Sequence, residues 1–270
     1  MNPKRTPPSP IFDTLQAIGN PFKQRQFSVK SYFTAPEIAP AGAETDFEFA
    51  LKFLYSYNGS TATFNSYRRE LERFIQWAWR IEILSILELR RENIEDYINF
   101  CQNPPKAWIG EKNVPRYVLT DGIRKPNEEW RPFVVSIAKE QFRKGVTPDR
   151  KDYVMAQPGI RAIFTALSSF YDYLCQENLT DMNPVALIRQ KNKFIRKDHN
   201  KAPVRRISTL QWEYVIETAE HMAAESPEPY ERTLFIMKCL YAIYLRISEL
   251  VSDERHSPIM GDFKKDHNGL

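Results

Sequence analysis

Between Cys239 and Val251 an apolar run is broken by one arginine, Arg246, with an acid, Glu249, three residues further on. A guanidinium among residues that belong in a core is costly unless it is paired or meets an anion. Its planar fork suits two phosphate oxygens, and Glu249 at i+3 stands on the same helical face to steady it. Two readings are open: an arginine that meets an anion such as phosphate, or a core helix with an internal Arg–Glu pair. Both expect a buried Arg246. A denser basic stretch precedes it, with Lys191, Lys193, Arg196, Lys197, Lys201, Arg205 and Arg206 offset only by Asp198. No apolar period runs through it, and Pro203 opposes a continuous helix. It suits a phosphate backbone, whose counterions it would release, or a solvated linker between two domains. A third group, Arg68, Arg69 and Arg73, lies off the apolar stripe of a helix. It offers contact with a duplex, or a solvated face partly paired with Glu70 and Glu72.

The pattern Leu240-Tyr241-Ala242-x-x-Leu245-Arg246-x-Ser248-Glu249-Leu250 resembles the box around the first catalytic arginine of the tyrosine recombinases, the phage integrase family. Most members carry a small residue and then glycine where this chain has Ile243-Tyr244. Glycine there permits a left-handed turn before the arginine. The resemblance implies site-specific DNA recombination and integration, with Arg246 on the scissile phosphate and Glu249 in support. In such enzymes a tyrosine attacks the phosphodiester, while two arginines and a lysine stabilise the charge that gathers on its oxygens. It implies a mainly α fold: a helical core-binding (SAM-like) domain, then the first part of a mixed, mostly helical integrase catalytic domain, joined by a linker that crosses the DNA. The implied partner is duplex DNA at a recombination site, with self-association on it, and neither a cofactor nor a small-molecule substrate.

Of the family's catalytic set only Arg246 can be placed. None of His199, His221, His256 and His267 is followed by arginine at i+3. Pro258–Phe263 reads as the start of a strand and Asp266-His267-Asn268-Gly269 as a hairpin turn, after which only Leu270 remains. The expectation is a chain cut within its catalytic domain, which binds DNA without cleaving it. Two rivals are a regulatory DNA-binding protein that never cuts, and a helical protein-interaction scaffold.

The elements that must carry these residues follow from periodicity. Residues 1–43 hold many prolines and few periodic apolar positions, and are expected to form a mobile arm. The core-binding domain is expected over 44–190. Thr45-Asp46-Phe47-Glu48 reads as a capping box, opening a helix with Phe47, Ala50, Leu51 and Leu54 inward. A second helix spans about 61–80 on Phe64, Tyr67, Leu71, Phe74, Ile75 and Ala78, and a third about 92–101. A long irregular insertion, about 103–158, interleaves Trp108, Arg116, Tyr117, Arg124, Lys125, Trp130 and Arg131. That composition suits nucleic acid or a loop packed over the domain, and packing is the favoured reading. The clearest helix follows, on Ile160, Ile163, Phe164, Leu167, Phe170, Tyr171 and Leu174. After the linker 191–206, the incomplete catalytic domain is expected over 207–270, opened by the capping box Ser208-Thr209-Leu210-Gln211.

Composition bounds the rest. With 38 Lys and Arg against 34 Asp and Glu, the net charge of +4 does not by itself imply nucleic acid, so distribution must decide. The three cysteines, Cys101, Cys175 and Cys239, fit no metal or redox spacing and read as free thiols in a reducing compartment. No metal site and no membrane span are expected, and the proline-rich start does not read as a signal peptide, so the expected location is cytoplasmic. The 9 glycines are scattered and form no phosphate loop.

Overall fold

The computed structural model describes residues 6–18, 39–120, 122–188, 194–195, 206–251 and the single positions 257, 259 and 261. The chain divides into two units, Met1–Lys197 and Asp198–Leu270. The architecture is mainly α.

In the first unit an extended segment, 6–14, leads into a single helical turn, α1 (Leu15–Ile18), followed by α2 (Ala43–Tyr55) and α3 (Thr61–Trp77). Ser60 caps α3 by accepting from the Thr63 N–H. A π-helical turn, Ala78–Glu82, continues α3 and stops at Ile83, whose φ of 57° is left-handed. Helix α4 (Arg91–Gln102) completes the first half of the bundle. Between α4 and the next long helix lie two two-stranded sheets and the short helix α5 (Lys139–Arg143). Strand β1 (Ile109–Gly110) pairs in parallel with β4 (Phe133–Val134), in the register Ile109↔Phe133. Strands β2 (Tyr117–Thr120) and β3 (Ile123–Pro126) form an antiparallel hairpin, Tyr117 opposite Pro126, turning at Gly122 with φ of 74°. Helix α6 (Gln157–Gln176) closes the unit and packs on α2 and α3.

Helix α3 lies at the centre, buried on its polar side as well as its apolar one. Phe64, Leu71, Phe74 and Ile75 are fully buried, and so, within a few per cent, are Arg68, Glu70, Glu72 and Gln76. Aromatic rings fill the apolar side: Phe74 meets Tyr97 and Tyr171 edge-on at 5.1 Å and 6.1 Å, and Phe53 meets Phe170 at 5.2 Å. Edge-to-face pairs of this kind add to the stabilisation that area burial gives. The insertion contributes to the same core, with Trp108, Ile109 and Phe133 buried. This is packing over the domain, and it explains how so long an interruption keeps order.

Three expectations are corrected here. The capping box at Thr45–Glu48 does not form, because α2 begins two residues before Thr45, at Ala43, with Gly42 at its N-cap. Asp46 is instead buried. Its carboxylate accepts from Ser85 Oγ at 2.6 Å, Trp79 Nε1 at 2.9 Å and the Ile86 N–H at 3.0 Å, and so holds the turn that follows the left-handed Ile83. Burial pushes its pKa up, against the lowering effect of those three donors. The expected arm is also in part core: Pro8, Pro10, Ile11 and Phe12 are buried, and Phe12 stacks on Phe47 at 5.2 Å. The apolar pair Ile11-Phe12 is too short to show a period, yet long enough to anchor an extended segment. Residues 19–38 lie outside the described residues. The third correction, to the burial of Arg246, arises in the second unit.

The second unit consists of α7 (Thr209–Glu225), α8 (Pro227–Ala242) and the short α9 (Ile247–Leu250), with α7 and α8 packed together. The Ser208 box forms as read: Gln211 N–H donates to Ser208 Oγ and Ser208 N–H to Gln211 Oε1. Trp212 stacks on Tyr241 at 4.0 Å. Among the described residues of this unit only Ala223 and Cys239 are buried, whereas Leu210, Tyr214 and Tyr244 are 72–86 % exposed. The expected half-hairpin of 258–270 lies outside the described residues, apart from positions 259 and 261. Among the described residues, no helix is long and apolar enough to cross a membrane.

Candidate nucleic-acid interface

The arginine box is not one helix. Helix α8 ends at Ala242, Tyr244 takes φ of 57°, and Arg246 stands in extended conformation as the N-cap of α9. The left-handed step that glycine would make easily is made here by a tyrosine, at a steric cost of roughly 1–3 kcal/mol. Glu249 does steady the arginine, but through the main chain: its Oε2 accepts from the Arg246 N–H at 2.6 Å. This is the reciprocal bond of a helix N-terminus. Arg246 is exposed rather than buried. The apolar residues around it favour the opposite expectation, but the described part of this unit is two packed helices, with no third layer to enclose the box. An exposed guanidinium at this place is available to an anion.

The three arginines of α3 separate into different roles. Arg73 lies in the first unit's interior, with Nε donating to the Pro132 carbonyl at 2.7 Å, Nη1 paired with Glu70 at 3.2 Å, and its guanidinium over the Phe133 ring at 4.9 Å. Arg69, about half exposed, pairs with the same Glu70 at 2.9 Å. Arg68 is 6 % exposed and donates through Nη1 to the Asp13 carbonyl, while its Nε has no hydrogen-bond partner. Burial first, and then the neighbouring Arg116 charge, lower its pKa to about 10. Neither a solvated face nor an open DNA-reading face describes Arg68 and Arg73, because the 6–14 segment and the insertion cover that side of α3.

The covering segment is held by a ladder of side chains four residues apart. Arg68 reaches the Asp13 carbonyl, Glu72 accepts from the Ile11 N–H at 2.7 Å and the Phe12 N–H at 3.2 Å, Gln76 donates to the Ser9 carbonyl at 3.0 Å, and Arg80 to the Thr6 carbonyl at 3.2 Å. From the insertion, Arg116 pairs with Glu72 at 2.8 Å, Tyr117 donates to the Pro10 carbonyl at 3.0 Å, and Arg124 lays Nε and Nη2 on the two oxygens of the Asp13 carboxylate. No sequence pattern groups Asp13, Glu72, Arg116 and Arg124. Their one visible trace is the Arg68, Glu72, Gln76, Arg80 spacing, which sets a polar stripe opposite the apolar one without naming its partner.

Of the linker residues, Lys191, Lys193, Arg196, Lys197 and Arg205 lie outside the described residues, and Arg206 is exposed. Among the described residues, no group of three or more His, Cys, Asp or Glu side chains is placed to hold a metal ion. The cysteines are free, with Cys101 and Cys239 buried and Cys175 partly so. Burial pushes the Cys101 thiol up to about 12, which leaves it a packing group rather than a nucleophile. Comparison of the chain with protein-family models, with curated proteins and with solved structures returned no match.

Proposed function

We propose that this chain binds duplex DNA in the manner of a tyrosine recombinase, with Arg246 as its contact to the scissile phosphate. The observation that carries the reading is the geometry at Tyr244–Glu249. Tyr244 takes a left-handed φ at the position where most members of the family it resembles have glycine, and Arg246 follows on a short helix start braced by Glu249. A β-unbranched but bulky residue held at positive φ is a costly local choice, and such choices gather at functional sites. The basic linker 191–206 supplies the sequence-independent grip on phosphates, and recombination or integration is the activity the resemblance implies. Strand cleavage needs a nucleophilic tyrosine, a second arginine and a lysine, which cannot be assigned to positions among these 270 residues.

The test is binding to duplex DNA by fluorescence anisotropy across a salt series. Affinity should fall steeply with salt, and Arg246→Ala should weaken it while leaving the thermal melt unchanged, since the side chain is exposed. Salt-independent or absent binding would reject the reading. It would favour a protein-interaction scaffold, for which the exposed Leu210, Tyr214 and Val215 of α7 are the supporting observation.

A further inference from the structure

We propose that Arg68 and Arg124 form a second phosphate site for the DNA backbone, one that Asp13 occupies and closes in the free protein. The inference rests on the duplex-binding reading and deepens it, since it assigns a contact in the first unit and a means of controlling it.

Three guanidiniums, of Arg68, Arg116 and Arg124, converge on two acidic residues, Glu72 and Asp13. Glu72 is fully engaged: one oxygen takes the Ile11 and Phe12 N–H groups and the other takes Arg116. Asp13 alone then serves the other two arginines. Its carboxylate receives the fork of Arg124 and its carbonyl receives Arg68 Nη1. Arg124 thus lays its fork on two oxygens of one group, which is the geometry guanidinium uses for phosphate, while Arg68 holds the main-chain oxygen of the same residue.

Arg68 is incompletely satisfied in this closed form. It is only 6 % exposed, its Nε–H points at no acceptor, and the Glu72 and Asp13 charges that favour it act without a direct carboxylate hydrogen bond. A phosphate would bring an acceptor to Nε. The Asp13 side chain can turn away while its main chain stays anchored: Phe12 before it is locked against Phe47, and Leu15 and Ile18 after it pack into the core. Arg124 is 42 % exposed and Asp13 17 %, so the clasp lies at the edge of the packed segment. Arg124 sits on β3, where Leu119 opposite it and Ile123 beside it are exposed, which leaves an approach for a duplex.

Opposite effects of two substitutions test this in the full chain. Asp13→Asn weakens the clasp and raises the open fraction, so duplex affinity should rise about three- to tenfold. Arg124→Ala removes a phosphate partner, so affinity should fall and the salt slope of log K should shrink by about 0.9. A purely structural pair predicts equal small losses of melting temperature and no divergence in binding. In the wild type, the Thr14 N–H, which donates to Asp13 Oδ1 at 2.7 Å, should exchange faster with solvent once duplex is added. Inorganic phosphate at millimolar concentration should not reproduce that change. If it does, the site takes free phosphate and the DNA assignment is overturned. Wild-type binding with Asp13→Asn no tighter, or with Thr14 exchange unchanged, overturns the closed site but leaves the duplex reading standing. No wild-type or variant binding overturns both.

Discussion

Asp46 shows how one buried carboxylate sets the geometry of a turn. Three donors converge on it, and two of them, Trp79 Nε1 and the Ile86 N–H, have no role in a helix or sheet ladder. Asp46→Ala should therefore destabilise the protein by about 1–3 kcal/mol for each donor left without a partner. Asp46→Asn should be tolerated, because its Oδ1 keeps Trp79 and Ile86 while its amide donates to Ser85 Oγ. The raised pKa adds a pH signature. A carboxyl whose folded pKa lies above its unfolded value binds protons more tightly in the folded state. Its contribution is full below the unfolded pKa and is lost as pH rises through the folded one. Chemical denaturation from acid pH to neutral should show this loss in the wild type and not in Asp46→Asn. Arg73 makes a complementary case. Arg73→Ala leaves Glu70 with a single, half-exposed partner in Arg69, so the melting temperature should fall by several degrees while duplex affinity stays unchanged. A loss of binding at unchanged stability would return Arg73 to the interface.

At the scale of elements, the 6–14 segment behaves as an extended piece of the core rather than as an arm. Its carbonyls and N–H groups are met along α3 and from the insertion, and Phe12 fills a place beside Phe47. Phe12→Ala should cost about 3–5 kcal/mol, as emptying a buried aromatic site usually does, measured by denaturant midpoint. A cost near zero would make the segment a loosely held arm after all. The linker 191–206 should act in the other way, on binding alone. Replacing Lys191, Lys193, Arg196 and Lys197 with alanine should reduce the salt slope by about 0.9 for each phosphate no longer neutralised, with no change in the melt. An unchanged slope would take the linker out of the interface.

For the whole molecule, the proposed reading predicts binding without cleavage. A phosphodiester under attack gathers charge on its non-bridging oxygens, and each missing donor lowers the rate by about 10²–10³. The proposed reading assigns Arg246 alone to that task and carries the attack onto no tyrosine. A nicked suicide substrate incubated with this chain should give no covalent adduct on a denaturing gel. An adduct abolished by replacing a single tyrosine would show that the active site lies elsewhere in these residues.

The sequence determined the long helices, because a period of 3.6 in residues such as Ile160, Ile163, Leu167 and Leu174 reports one buried stripe directly. It also determined the Ser208 cap, which depends on neighbours three residues apart, but not the break that makes Arg246 an N-cap instead of a residue within a helix. Tertiary structure alone decided which polar residues are buried. Glu72 meets the amides of Ile11 and Phe12 about sixty positions away, and Arg124 meets Asp13 across 111. No local pattern encodes such partners, because an arginine bound for a core carboxylate and one bound for solvent look alike in a helix. Asp46 departs from its local reading for the same reason. A Thr-Asp-Phe-Glu string satisfies the local rule for a cap, and only the approach of Trp79, Ser85 and Ile86, more than thirty positions along the chain, turns that carboxylate inward.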